Sequence, residues 1–165
     1  MGAANVFEPS FEPDEEHHGF LRRRAFVGRD AGSERLGATL IELPPGRTAS
    51  PYHYHHANEE MLIVVGGRPS LRTPAGWREL APGEVVAFPL GEPGAHQVSN
   101  FGEDPARYLI VSEMIGPELA VYPDSGKVGV RESAPGPRAT GRWELHRSEQ
   151  SLDYWDGEAP PTGTA

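Results

Sequence analysis

His53 and His55 stand two residues apart in the segment Pro51-Tyr-His-Tyr-His-His-Ala-Asn-Glu-Glu-Met-Leu-Ile-Val-Val-Gly-Gly67, and Glu60 follows just before an apolar run. An extended strand repeats its side-chain direction every second residue, so both imidazoles face the same way. Two neutral nitrogens and one anionic oxygen on one concave surface suit a divalent transition metal. His96, downstream in a separate punctuated segment, can complete the shell. The chain has no cysteine, which excludes disulfides and thiolate sites and leaves only N and O ligands.

These side chains need a rigid frame, and the chain supplies short strands. Phe20 to Val27 is a first candidate strand. Ala38 to Leu43 is a second, stopped by Pro44-Pro45-Gly46. Met61 to Val65 is fully apolar and ends at Gly66-Gly67. Ser70 to Thr73 and Trp77 to Leu80 flank Pro74-Ala75-Gly76, a hairpin signature. Val85 to Phe88, Gln97 to Asn100 and Ala106 to Val111 follow, and Lys127 to Arg131 and Arg142 to His146 can add edge strands. No amphipathic helix stands out. Regular short strands with Gly and Pro punctuation predict an all-β, antiparallel sandwich or barrel. The histidine cluster is not repeated, so one barrel is expected.

Two segments resemble the paired motifs of the cupins, small metal-binding jelly-roll proteins. Gly46, His53, His55, Glu60 and Gly67 fill the first motif, with four residues between His55 and Glu60 and six between Glu60 and Gly67. Six residues separate Gly46 from His53 where the family usually has five. Gly83, Pro89, Gly91, His96 and Asn100 fill the second. Its spacer from Gly91 to His96 holds four residues, Glu92-Pro93-Gly94-Ala95, instead of two. The resemblance implies a small single-domain cupin of bacterial type: an antiparallel jelly-roll barrel over residues 19–114, with motifs at 46–67 and 83–100. An acidic arm, residues 1–18, would precede it. An extension, residues 115–165, would follow, with disorder expected from Gly157 to Ala165. The implied metal shell is His53, His55, Glu60 and His96, and small cupins commonly form homodimers.

Each residue has a plainer reading. Glu59 competes with Glu60, but the spacing to Gly67 favours Glu60. His56 faces away from His55 in a strand. Tyr52 and Tyr54 alternate with the ligands and are expected outside the barrel. Gly46, Gly67, Gly83 and Gly91 suit barrel corners needing positive φ. Asn100 can hydrogen-bond backbone. The Arg22-Arg23-Arg24 run reads first as a strand with one solvated face, and second as an attractor for an acidic substrate.

Composition sets the outer limits. The chain has 165 residues, room for one domain with a core and some tail. With 24 acidic and 15 basic residues its net charge is -9, which disfavours nucleic acid and anionic membranes as partners. No signal segment or membrane-spanning apolar run is visible, and a cytoplasmic location is expected. Three imidazoles and a carboxylate leave two open positions on a six-coordinate ion, which suits Fe, Mn, Co or Ni, while Zn would be closer to saturated. The expected function is a metal-dependent enzyme on a small polar molecule, such as a carboxylate or sugar: an oxygenase, a decarboxylase or an isomerase. The alternative is a non-catalytic module that binds or senses a small ligand. An interaction protein with a vestigial site is disfavoured by the intact ligand set. The catalytic residues and the substrate are not readable, because the strand register of the pocket wall is not fixed by sequence.

Overall fold

The fold was analysed in a computed structural model, which describes residues 2–149 and 151–160. Part of the expected C-terminal disorder, residues 161–165, lies outside the described residues. In chain order the elements are β1 (Glu15–His17), β2 (Phe20–Ala25), α1 (Val27–Ala31), β3 (Leu36–Leu43), β4 (Tyr54–His55), β5 (Glu60–Gly66), β6 (Ser70–Thr73) and β7 (Gly76–Glu79). They continue with β8 (Val85–Phe88), β9 (Gln97–Ser99), β10 (Ala106–Glu113), β11 (Glu118–Tyr122), β12 (Lys127–Arg131) and β13 (Trp143–Arg147).

The expected antiparallel, all-β cupin architecture is present. Its hydrogen bonding runs in three sheets, ordered β1-β2-β3-β10-β5-β8, β13-β12-β11-β4 and β7-β6-β9, and these are not closed into a continuous barrel. The two strands beyond residue 115 foreseen at Lys127 and Arg142 are β12 and β13. β11, which joins them to β4, was not foreseen; its residues Glu-Leu-Ala-Val-Tyr follow Gly116-Pro117 and alternate only weakly. The first strand stops at Ala25, two residues early, because Val27 opens a five-residue helix capped by left-handed Gly32. That strand pairs with β1 on one side and β3 on the other, within its own chain.

Alternation along the large sheet sorts its two faces. Ile41 and Leu43 on β3, Leu62 and Val64 on β5, Phe88 on β8 and Tyr108 on β10 turn inward. They meet Leu71 and Val98 of the smallest sheet in the main core. The opposite face carries Ala25 and Leu40, covered by Val27 of α1 and by Val6 and Phe11 of the N-terminal arm. The acidic arm therefore folds back over its own sheet. No helix among the described residues is long and apolar enough to cross a membrane.

The motif glycines work as corners. Gly46, Gly67, Gly83 and Gly91 all have positive φ. At Gly67 the requirement is double, since a Cβ there would also lie 2.5 Å from the Pro105 carbonyl oxygen and 2.7 Å from Ala106 Cα. Gly67→Ala is therefore expected to destabilise more than an exposed Gly→Ala change, and Leu62→Ala, at a fully buried position, by about 3 kcal/mol. Urea unfolding checks both; a Leu62→Ala variant with unchanged stability would contradict this account of the core.

Candidate metal centre

Backbone pairing assembles the site. The His53 amide donates to the His96 carbonyl oxygen at 3.1 Å, and the His96 amide returns the bond to His53 at 2.9 Å. This reciprocal antiparallel pair sets the two rings on one side, with centroids 4.7 Å apart. His55 lies on β4, opposite Ala120 of β11. Glu60 opens β5 opposite Phe88, whose ring stacks on His96 at 3.9 Å. The insert at residues 92–95 forms a single 3-10 turn, Glu92–Gly94, and delivers His96 to the site as the second motif requires.

Ligand atoms of His53, Glu60 and His96 all lie within 4.8 Å of one another. His55 stands outside that three-residue group, but its Nε2 is 3.5 Å from Glu60 Oε2, and His96 Nε2 is 3.4 Å from the same oxygen. The far ring nitrogens are committed elsewhere. His53 Nδ1 donates to the Pro51 carbonyl oxygen at 2.8 Å, and His96 Nδ1 donates to that of Gly94 at 2.9 Å. A carbonyl only accepts, so these Nδ1 atoms carry the proton and each Nε2 keeps a lone pair for the site. His55 Nδ1 is buried without a hydrogen-bond partner, and Glu118 Oε1 lies 3.6 Å from it. Neutral imidazole nitrogens around one carboxylate oxygen are the donor set of a divalent transition-metal site, and the residues fit such an ion.

Electrostatics agree with this division of roles. Burial, reinforced by His96 and His55, pushes the His53 pKa down to about 3, so its ring stays neutral. Burial opposes ionisation of Glu60, yet in the metal-free protein a proton on His96 Nε2 and charge on the neighbouring imidazoles, when they are protonated, outweigh it and hold the carboxyl well below the usual range. At His55 burial favours the neutral ring, but Glu118 and Glu60 outweigh it and the pKa rises.

Glu118 was not foreseen from sequence. It is 3 % exposed, accepts from Asn58 Nδ2, and accepts from the His56 amide at 3.3 Å. Nothing in its spacing marks it, since it lies 58 residues past Glu60 in chain order and meets His55 only through β4–β11 pairing. The remaining expectations have simple outcomes. Asn100 Nδ2 donates to the carbonyl oxygens of Leu43 and Asp104. Glu59 and His56 are exposed, and Tyr52 lies under Arg72 at 4.1 Å, away from the ligands.

The ligands open into a cavity of about 500 Å³ between the large sheet and the β11–β12 wall. The arginine run divides there. Arg23 turns outward, bonded to Glu42 at 3.0 Å and paired with Asp14 at 3.3 Å, whereas Arg22 and Arg24 line the cavity. The reading of a merely solvated strand therefore holds for Arg23 alone, because its neighbours share the inward face of Ile41 and Leu43.

The fold carries a His53–Glu60–His96 cluster whose geometry could hold a metal ion. Residues 39–112 match the family model described as Cupin domain, and this stretch of the chain is a cupin domain. Solved structures similar to it include a candidate sugar phosphate isomerase from Acidithiobacillus ferrooxidans, 26% identical, covering 85% of this chain and 86% of that one with a TM-score of 0.75. A sugar phosphate isomerase of the cupin superfamily from Silicibacter pomeroyi is 25% identical over 93% of this chain and 97% of its own, with a TM-score of 0.74. A predicted oxalate decarboxylase from Thermotoga maritima, 18% identical over 68% of this chain and 99% of its own at a TM-score of 0.57, shares the fold alone. No curated protein sequence matches significantly.

A protonated His55 cannot bind metal, and its pKa is raised in the metal-free protein. Metal affinity should therefore increase as pH rises through that pKa. Glu118→Gln removes the main raising influence and should move the midpoint to lower pH. Competition with a chromophoric chelator over about pH 5 to 9 measures this; an unmoved midpoint would separate Glu118 from His55.

Proposed function

We propose that this chain is a metal-dependent isomerase of small phosphorylated sugars or related hydroxy-carbonyl compounds, with His53, His55, Glu60 and His96 as the metal ligands. The observation that carries the reading is the His53–Glu60–His96 cluster at the floor of a 500 Å³ cavity, large enough for such a substrate. The two near-full-length likenesses to proteins described as sugar phosphate isomerases support the reaction class.

A divalent ion held by these ligands would polarise neighbouring carbonyl and hydroxyl oxygens, which acidifies the carbon-bound proton an isomerase must move. The chain's own residues set the geometry around that chemistry. Carbonyl acceptors at Pro51 and Gly94 fix two imidazole orientations. Phe88 covers one ring face of His96, and Tyr122 stacks on His53 with ring centroids 5.8 Å apart. Burial raises the Tyr122 pKa, so its hydroxyl keeps its proton and can donate a hydrogen bond to a substrate oxygen.

Replacing Glu60 or His96 by Ala should lower metal affinity at least about tenfold, because each contributes a ligand atom directly. Glu59→Ala, at an exposed side chain, should leave it unchanged. Metal analysis of the purified variants reads this out, and a Glu59 variant that loses metal while Glu60→Ala keeps it would shift the ligand by one residue. For the reaction, metal-loaded protein is incubated with aldose phosphates in deuterated buffer. Isomerisation with solvent deuterium at the carbon beside the carbonyl is expected. Absence of exchange and of isomerisation across aldose phosphates of three to six carbons would overturn the reading.

A further inference from the structure

A chain of net charge -9 turns five arginines, Arg22, Arg24, Arg29, Arg131 and Arg138, onto the wall of the cavity that holds the metal ligands. Their placement follows from strand register. Arg22 and Arg24 alternate with outward Arg23 on β2, and share the inner face with Glu60 of β5. In the sheet order β2-β3-β10-β5 three strand spacings, about 14 Å across the sheet, separate the two strands, and Arg24 lies opposite Ile41 whereas Glu60 lies in the row of Gly37, four residues further along β3. Arg131 comes from the facing sheet. It pairs in register with Glu118, so both side chains point to the same side of β11 and β12, into the cavity.

The five are not equally free. Arg29 is taken by Glu12 and Asp30, both at 2.8 Å, and Arg138 Nη1 donates to the Ser33 carbonyl oxygen at 3.0 Å. Arg131 lies over the Trp143 ring at 4.5 Å and has no carboxylate within ion-pair distance among the described residues. Arg22 has one loose partner, Glu15 of the N-terminal arm, at 3.6 Å; the same carboxylate also holds Arg24.

We propose that Arg22 and Arg131, one from each facing sheet, form an oxyanion subsite that holds the phosphate of a substrate whose other end reaches the metal ligands, and that Glu15 is the internal carboxylate this phosphate displaces. The proposal deepens the isomerase reading and rests on it for the identity of the substrate. Guanidinium forks match tetrahedral oxyanions and bind them through charge-assisted hydrogen bonds. A stacked, unpaired arginine such as Arg131 is already oriented for that role. Glu15 belongs to the arm and lies on β1 at the start of the large sheet, so it can withdraw without disturbing the metal ligands.

The test titrates inorganic phosphate into metal-loaded, full-length protein by calorimetry, with acetate as a carboxylate control. Saturable phosphate binding is expected, tighter than acetate, and weakened about tenfold in each of Arg22→Gln and Arg131→Gln with metal content unchanged. Glu15→Gln removes the internal competitor and should tighten phosphate binding severalfold, an effect opposite in sign to any loss of folding. Equal phosphate affinity in the wild type and both arginine variants would place the anion on the metal and overturn the subsite. Acetate binding as tightly as phosphate would also overturn it. Phosphate binding with these responses, but no isomerisation of any aldose phosphate, would retire the isomerase reading while leaving the subsite in place.

Discussion

Every feature of the site depends on one constraint: an imidazole can offer a lone pair inward only if its other nitrogen has somewhere to leave its proton. His53 and His96 meet this through backbone carbonyls two residues upstream, at Pro51 and Gly94. Each acceptor is local, so the ring orientation is built into the turn that carries the histidine and survives small movements of the sheets. His55 has no such local acceptor and relies on Glu118 from a strand far along the chain. Two rings are thus preset by their local carbonyls, and the third is set by sheet assembly. Burial and the neighbouring imidazoles lower the His53 pKa, whereas at His55 burial is outweighed by Glu118 and Glu60 and the pKa rises.

The sandwich then supplies what turns cannot. Glu60 begins β5, the strand between β10 and β8, where burial would normally favour the protonated carboxyl. Protonated imidazoles keep it ionised in the metal-free protein, and once the rings are neutral their lone pairs and the carboxylate face one another, an arrangement a divalent ion would balance. A set of this kind holds its shape before metal arrives, which limits the reorganisation that binding requires. Phe88 contributes from the paired strand by covering His96, and the main core of Leu62, Val64 and Tyr108 fixes the floor beneath.

Much of this was legible in the sequence because it rests on short-range rules. The period of two put His53 and His55 together, the count from Glu60 to Gly67 chose between two glutamates, and the four-residue insert before His96 proved to be a turn that loops out. Glycine corners at 46, 67, 83 and 91 were equally local. The parts that escaped are those set by register between distant strands. β11 carries only a weak pattern, yet it brings Glu118 behind His55 and Tyr122 against His53. The arginine run looked uniform until its strand was placed, after which alternation sent Arg23 to Glu42 and its neighbours to the cavity. The acidic arm shows in sequence chiefly as dense charge; Val6 and Phe11 are what pack it against the sheet.

Net charge was the least informative number for the same reason. It disfavours extended polyanions as partners, but says nothing of a single cavity, where charge is set by which face each residue takes. Clustering arginines around a cavity is unfavourable when nothing balances them, and here the arm contributes part of the balance: Glu12 to Arg29, and Glu15 to Arg22 and Arg24. These pairs are partly exposed, so each is worth little by itself. Their collective effect is to tie the arm's position to the charge state of the cavity. The acidic arm of this sandwich is thus a source of counter-charge for three of the arginines that line the cavity.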